Sequence, residues 1–238
     1  MLNLKSTKRR QSIQRLAGLL GLGLSGLLCF PVWAQVPVRA AEALFSAARR
    51  DDTGATINLL FRELDPNVTD EQGHTALFIA VREGSLKVAN LLLDLPLVQV
   101  ERRNWVDESP LMMAAIKGEL LLAQRLIERQ AEVNKPGWAP LHYAATNPEP
   151  TSSDMVLLLL EHHAYIDAES PNKTTPLMMA SRYGTADVVQ LLIKEGADPT
   201  SRNEQGLTAL DFAQTADRRD VAKKLTAALR QWSTKGKW

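Results

Sequence analysis

One short pattern recurs along the chain at a spacing near 33 residues. The clearest copy runs from Thr174 to Pro199 and begins Thr175-Pro176-Leu177. Weaker copies of the same start are Thr75-Ala76-Leu77, Ser109-Pro110-Leu111, Ala139-Pro140-Leu141 and Thr208-Ala209-Leu210. Successive starts are 34, 30, 36 and 33 residues apart. A period of this length indicates that the fold is built by stacking copies of one small unit.

The clearest copy predicts a pair of helices. Thr175 can cap the first helix with its hydroxyl, and Pro176 suits the first helical position, where no N–H is needed. Gly184 then ends this helix, and we expect it to supply the positive φ of a tight turn. The second helix, rich in Val, Leu and Ile, ends at Gly196. Ala197 begins an extended segment that leads to the next copy.

These residues resemble the ankyrin repeat family, which implies a mainly α solenoid of about six helix–turn–helix units with hairpin-like connecting loops. The matching features are the Thr-Pro-Leu start, Ala180, Gly184, the Leu191-Leu192 pair and the Gly196-Ala197-Asp198 ending. The array is assigned to residues 41–230, after a linker at 35–40 and before a tail at 231–238. Its units are placed at about 38–68, 69–100, 101–133, 134–167, 168–200 and 201–230.

Most units depart from the pattern at one position or more. In the first, Glu42 stands where a capping Thr is expected, and in the last, Asp211 takes the usual His position. The fourth unit is shorter before Pro140 and carries a breaker-rich turn over 146–153, so we expect a bulge beside a shortened hairpin. The helix-ending glycine is kept at Gly196 and replaced in four units. The replacements are Leu64, Pro96, Gln130 and His163.

The N-terminus has the pattern of a secretory signal peptide. Five basic residues precede an apolar run from Leu16 to Phe30, and Val32-Trp33-Ala34 supplies small residues where a signal peptidase cleaves. We predict residues 1–34 as the signal, with cleavage after Ala34 and no stable membrane insertion afterwards. An uncleaved anchor is the alternative. With the repeats, this leader resembles exported bacterial ankyrin-repeat proteins, which implies a periplasmic or secreted location; a secreted eukaryotic protein is the other possibility.

Composition narrows the classes of partner. Cleavage would remove Cys29, the one cysteine, and five basic residues, which leaves 23 basic and 27 acidic residues and a net charge of −4. An acidic chain argues against nucleic acid as the main partner. We expect a monomer whose stability comes from stacked helices rather than disulfides. No cofactor is expected.

The resemblance implies a binding face made by the connecting loops and the outer side of each first helix. The aromatic candidates on this face fall in three consecutive units, and exposed aromatics are typical anchors of interfaces. Basic residues recur at one position of the first helix. The predicted partner-binding residues are Trp105, Trp138, Tyr183, Arg49, Arg82, Arg182, His74, Glu108 and Lys117. Ile116, Lys135 and Asn147 lie on the same predicted face.

Catalytic motifs are missing from the sequence, so a non-enzymatic binding module for an unidentified protein is the leading interpretation. His142 is predicted to hydrogen-bond the backbone of a neighbouring loop, as the resemblance implies. The alternative function is a metal-binding or enzymatic site at His162 and His163. Two roles stay open for a binding module: it could protect a periplasmic enzyme such as a catalase, or inhibit a secreted toxin as an immunity protein.

Overall fold

The computed structural model describes residues 32–235, and the side chains of residues 38–233. Apart from residues 32–34, the predicted signal peptide lies outside these residues. The described chain is helical, and one antiparallel bridge joins Thr69 to Thr75. None of the described helices combines the length and the apolar character needed to cross a bilayer.

Twelve helices occur within residues 32–235, in six consecutive pairs. They are α1 (Val32–Arg49), α2 (Thr53–Phe61), α3 (Ala76–Glu83), α4 (Leu86–Leu93), α5 (Pro110–Lys117), α6 (Leu120–Glu128), α7 (Pro140–Thr146), α8 (Ser152–Glu161), α9 (Pro176–Tyr183), α10 (Ala186–Lys194), α11 (Ala209–Thr215) and α12 (Arg219–Lys235). Each predicted unit holds one pair, although the first and last pairs extend beyond their predicted bounds, and this confirms the helical repeat solenoid.

The helices pack in two layers. First helices contact first helices in the order α3, α5, α7, α9, α11, and second helices contact second helices from α2 through α12. The first helices are the more buried: Leu77, Leu111, Leu141 and Leu177 are at most 1% exposed. A single helix pair cannot cover this apolar surface alone, so the neighbouring units complete the core.

The predicted N-caps are present. Hydroxyl side chains at the starts of α3, α5, α9 and α11 accept a hydrogen bond from the backbone N–H three residues later, at 3.1–3.4 Å. These caps are Thr75, Ser109, Thr175 and Thr208. At the start of α7, Ala139 has no hydroxyl, and its own N–H donates to Nδ1 of His142 at 3.1 Å. The histidine thus satisfies a polar group at a helix end that lacks a side-chain cap.

A ladder of side-chain hydrogen bonds joins one loop to the next. Oδ1 of Asn134 accepts the N–H of Tyr165 at 2.8 Å, and its Nδ2 donates to the carbonyl of His163 at 2.7 Å. Equivalent side chains accept from the following loop at three other junctions. These are Asn67 to Gln99, Glu101 to Glu132 and Asp167 to Asp198. The regular spacing of these rungs keeps successive units in register.

Gly184 does not have the positive φ that the sequence led us to expect. Its φ is −79°, with extended ψ, whereas the corresponding Gly84 and Gly118 have φ of 76° and 72°. Glycine is needed at 184 because a Cβ there would lie 2.2 Å from the carbonyl oxygen of Ala145 in α7. Close approach of two first helices therefore explains this glycine, not a left-handed turn.

Both ends of the array are more helical than predicted. Helix α1 begins at Val32, so the predicted linker at 35–40 is helical. Glu42 consequently lies inside a helix rather than at a cap position. At the other end, α12 continues to Lys235, which extends the last unit beyond residue 230. This longer helix packs on α10 and α11.

Replacing His163 with Gly should stabilise the fold. His163 has a φ of 65°, and the equivalent positions Gln130 and Gly196 are also left-handed, at 69° and 102°. A Cβ disfavours this conformation, so H163G is expected to raise the free energy of unfolding by about 1 kcal/mol. Urea unfolding measures the change.

The matched control is the adjacent His162→Gly. His162 has a φ of −94°, so its Cβ is not strained and glycine there brings only added freedom to the unfolded chain. A stabilisation by H162G equal to that of H163G would contradict the explanation from backbone strain.

Candidate protein-binding groove

An apolar groove of about 340 Å³ lies on the face formed by the connecting loops and the first helices of the third, fourth and fifth units. It spans α5, α7 and α9, which pack side by side. The side chains that line it are Ile116, Trp138, His142, Tyr143, Thr146, Met179 and Tyr183. The structure therefore brings together two of the predicted aromatic residues, Trp138 and Tyr183.

Trp138 forms one wall of the groove and is half-buried. Its ring meets His142 edge-on, with centroids 5.3 Å apart. The short loop that carries it is held by Lys135, whose Nζ donates to the carbonyl of Trp138 at 3.0 Å and contacts Oδ2 of Asp107 at 2.5 Å. Lys135 is only 3% exposed, so it is a structural residue rather than the partner-facing residue predicted.

The carboxylate of Asp107 connects this loop to the preceding unit. The hydrogen bond from Lys135, followed by that from Arg103, lowers the pKa of Asp107 below its usual value. Arg103 also bonds Glu101 at 2.7 Å and Glu132 at 2.7 Å. Two cations and three carboxylates thus fix the position of the Trp138 loop.

His142 forms the floor of the groove and has the structural role that the sequence predicted. It is 1% exposed, and Nε2 donates to the carbonyl of Thr174 in the next unit at 3.0 Å. Because Nδ1 accepts the N–H of Ala139, the ring bridges two loops in its neutral form. Burial lowers the pKa of His142 and favours that form.

Tyr143 places a phenol inside the groove and donates its O–H to Oε1 of Glu108 at 3.1 Å. Burial, together with the adjacent charge of Glu108, raises the pKa of Tyr143 far above its usual value. The other oxygen of Glu108 accepts from Asn104 at 2.8 Å. Glu108, predicted as a partner contact, instead orients a groove residue from behind.

The opposite wall is formed by Tyr183, which is 52% exposed. The guanidinium of Arg182 lies 5.3 Å from the centre of its ring, within the range of a cation–π contact. At the other end of the groove, Ile116 is 40% exposed and is followed by the exposed Lys117. Apolar walls are therefore flanked by a cation on each side.

Trp105 is outside this groove, although its side chain is 78% exposed. Its backbone N–H donates to the carbonyl of Gln72 at 3.1 Å, which joins the tips of two successive loops. The indole also packs over Gly73, where a Cβ would lie 2.4 Å from Cδ1 of the ring. Trp105 thus covers the loop of the preceding unit and leaves its outer face open.

The remaining candidates lie in the first two units. His74 bonds Asp70 at 2.9 Å and stacks on Phe78 with centroids 4.7 Å apart, so its side chain is only 13% exposed. Although burial opposes ionisation, the hydrogen bonds from His74 lower the pKa of Asp70. Arg82 bonds Glu83 at 3.1 Å. These contacts within one unit leave His74 little surface for a partner.

Three further predictions concern Arg49, Asn147 and the turn after α7, none of which lines the groove. Arg49 is exposed and lines a separate cleft against the loop at Asp70. Asn147 is 1% exposed and is therefore not a surface residue, and its Oδ1 accepts the N–H of Glu149 at 2.9 Å. Only residues 148–151 of that turn form the expected exposed bulge.

His162 and His163 end helix α8. The carbonyl of His163 accepts from Asn134, and its left-handed backbone closes the helix. Within the part of the chain that the structure describes, no group of three or more His, Cys, Asp or Glu side chains is placed to hold a metal. No described contact therefore favours the alternative function at this pair.

Sequence reasoning missed Tyr143, Thr146 and Met179 as groove residues. Tyr143 and Met179 occupy the same position of α7 and α9. Each lies two residues after the leucine of the Pro-Leu start. At the equivalent position, Ile79 in the second unit and Met113 in the third are buried, whereas Phe212 in the sixth is half-buried. The signal in the sequence that pointed to this unit was the shortened fourth loop.

A stack of helix pairs with an apolar groove on its loop side is the architecture of a protein-binding scaffold. Comparison with known families agrees with this class. The profile described as "Ankyrin repeats (3 copies)" matches residues 95–170 and 151–231, and "Ankyrin repeat" matches residues 72–104. The chain belongs to the ankyrin repeat family. Its repeats form a protein–protein interaction module.

Curated relatives are much longer proteins. A homolog of transient receptor potential cation channel subfamily A member 1 from Caenorhabditis elegans is 30% identical over 192 residues, which is 79% of this chain and 13% of that protein. The B-cell lymphoma 3 protein homolog of Mus musculus is 31% identical over 157 residues, covering 63% and 34%. The chain thus spans about a third or less of the length of these relatives.

Two solved structures of bacterial proteins are similar over most of the repeat array. A chain in the complex of the Bd0816 predatory endopeptidase from Bdellovibrio bacteriovorus with immunity protein Bd3460 has a TM-score of 0.68 and 31% identity, covering 78% of this chain and 97% of that one. An ankyrin repeat domain from Acinetobacter baumannii has a TM-score of 0.64 and 26% identity, covering 78% and 96%.

Replacing Asp107 with Asn should weaken the fold in a pH-dependent way. Asn tolerates the left-handed backbone of this position, where φ is 67°, but removes the charge facing Lys135. Because the folded pKa of Asp107 is lowered, its contribution is complete above the ordinary value of about 4 and is lost as the pH falls through the folded pKa.

We expect D107N to lower the free energy of unfolding by about 1 kcal/mol at neutral pH, and by less as the pH falls below about 4. Urea unfolding at several pH values measures this difference. Asp94→Asn is the control, since Asp94 pairs with Arg125 at an exposed site and should change stability little. A deficit of D107N that stays constant with pH would show that the charge is unimportant.

Proposed function

We propose that the chain is an exported, non-enzymatic binding module that holds a partner protein in the groove between its third and fifth units. The observation that carries this proposal is the pair of half-exposed aromatic walls, Trp138 and Tyr183, around an apolar floor. Exposed apolar clefts of this kind are uncommon on soluble proteins unless they bind something. Burying one large apolar side chain of a partner there contributes about 1.5–3 kcal/mol.

The groove is shaped before any partner arrives. His142 is held through both ring nitrogens, Tyr143 is oriented by Glu108, and the Trp138 loop is fixed by the buried Lys135. Side chains already fixed in place lose little conformational entropy on binding. This rigidity supports a recognition site rather than an accidental gap between repeats.

The location is proposed from the N-terminal sequence. A basic start, an apolar run and small residues before Gln35 are the pattern of a cleaved leader. The rest of the chain contains no cysteine, so it needs no oxidative folding step in the periplasm. We therefore place the mature protein in the periplasm and expect its partner in the same compartment.

For the role of the module, we propose inhibition of an exported hydrolytic enzyme, in the manner of an immunity protein. The support is the likeness to a chain found in a complex between an endopeptidase and an immunity protein, which covers nearly all of that chain. Protection of a periplasmic enzyme would use the same groove. The two roles differ in their effect on the bound enzyme, because its activity would fall under inhibition and rise under protection.

The groove predicts which aromatic residues a partner needs. W138A/Y183A should weaken capture of the partner from native periplasm by at least about tenfold, because central aromatic anchors carry most of the binding energy of an interface. Thermal unfolding should show that the double variant remains folded. In the same preparation, the intact mass should equal that of a chain that begins at Gln35.

Trp105→Ala is the matched control. It removes an indole that is more exposed than either groove aromatic but is not part of the groove. A protein captured by wild type and by W105A, but not by W138A/Y183A, supports the proposal. Loss of capture with W105A alone would place the interface at the loop tips instead.

A further inference from the structure

Two exposed cations are next in sequence to residues that line the two ends of the groove. Lys117 follows Ile116 at the end of α5, and Arg182 precedes Tyr183 at the end of α9. Within the described residues neither side chain forms an ion pair, whereas Lys135 and Arg103 nearby are paired with carboxylates. Lys117 and Arg182 are therefore available to a partner.

The acid nearest to the groove lining is already engaged. Glu108 accepts hydrogen bonds from Tyr143 and from Asn104 through its two carboxylate oxygens. Because both of its oxygens accept hydrogen bonds, Glu108 does not pair with Lys117 or Arg182. The groove consequently combines an apolar interior with positive ends, on a mature chain whose net charge is −4.

We propose that the groove binds a partner segment in which an apolar side chain lies between two carboxylates. This inference rests on the proposed function and specifies the chemistry of the partner at that site. The apolar side chain enters between Trp138 and Tyr183, and the carboxylates pair with Lys117 and Arg182. Such complementarity selects a partner more than it adds affinity.

The spacing of the cations sets the length of the segment. Helices α5 and α9 are separated by α7, and packed helices lie about 8–10 Å apart, so the two cations are roughly 16–20 Å apart. An extended chain advances about 3.3 Å per residue. The two acidic residues should therefore be about five residues apart, with the apolar residue between them.

Matched peptides test this chemistry. The first probe is the blocked hexapeptide Glu-Ser-Phe-Leu-Ser-Glu, and the second replaces both Glu residues with Lys. Titration is followed by NMR through the indole N–H of Trp138. We expect the acidic peptide to bind about three- to tenfold more tightly than the basic one at low salt, as two exposed ion pairs allow, and this preference to shrink at about 0.5 M salt.

Charge reversal locates the effect. K117E/R182E should invert the preference, so that the basic peptide binds more tightly. R49E/R62E changes the net charge by the same amount at exposed positions outside the groove and should leave the preference as it is. The folded state of each variant is checked by the dispersion of its NMR spectrum.

Three results would overturn the inference. If both peptides shift Trp138 equally, the groove binds apolar groups without selecting acids, and the proposed function stands without this refinement. If the basic peptide binds the wild-type protein more tightly, the negative net charge of the chain determines the preference rather than Lys117 and Arg182. If neither peptide shifts Trp138, the site does not accept this segment, while capture by W138A/Y183A tests the proposed function independently.

Discussion

The fold depends on contact between successive units, because no helix pair buries its own apolar surface. Two sets of interactions fix that contact. The first helices pack through residues such as Leu111 and Leu141, which are fully or almost fully buried, and the side chains of Asn67, Glu101, Asn134 and Asp167 accept backbone N–H groups from the next loop. Packing supplies the stability, and the ladder sets the register.

The groove centres on the unit whose connecting loop is shortened. The fourth loop is shorter than its neighbours, and Lys135, Asp107 and His142 hold it in position. At the position where Ile79 and Met113 are buried, Tyr143 and Met179 remain half-exposed. The cleft lies where half-exposed side chains at this position follow one another in adjacent units.

The sequence predicted the parts that depend on local chemistry. The period of the repeat predicted the helix pairs and the hydroxyl caps, and the resemblance to the ankyrin repeat family implied the role of His142. It failed where distant residues decide the outcome. Gly184 is explained by Ala145 across the interface, and Asn147 is buried with its side-chain amide next to Gly118 of the preceding unit. The groove itself combines three units, so no single repeat contained its pattern.

The central claim is that a partner protein occupies this groove. The most direct measurement places a photo-crosslinking amino acid at Ile116 or Thr146 in the groove, and at Leu121, which is 78% exposed on a second helix. In cells that make the partner, irradiation should join it to the chain from Ile116 and Thr146 but not from Leu121. Crosslinks from Leu121 with none from the two groove positions would contradict the account.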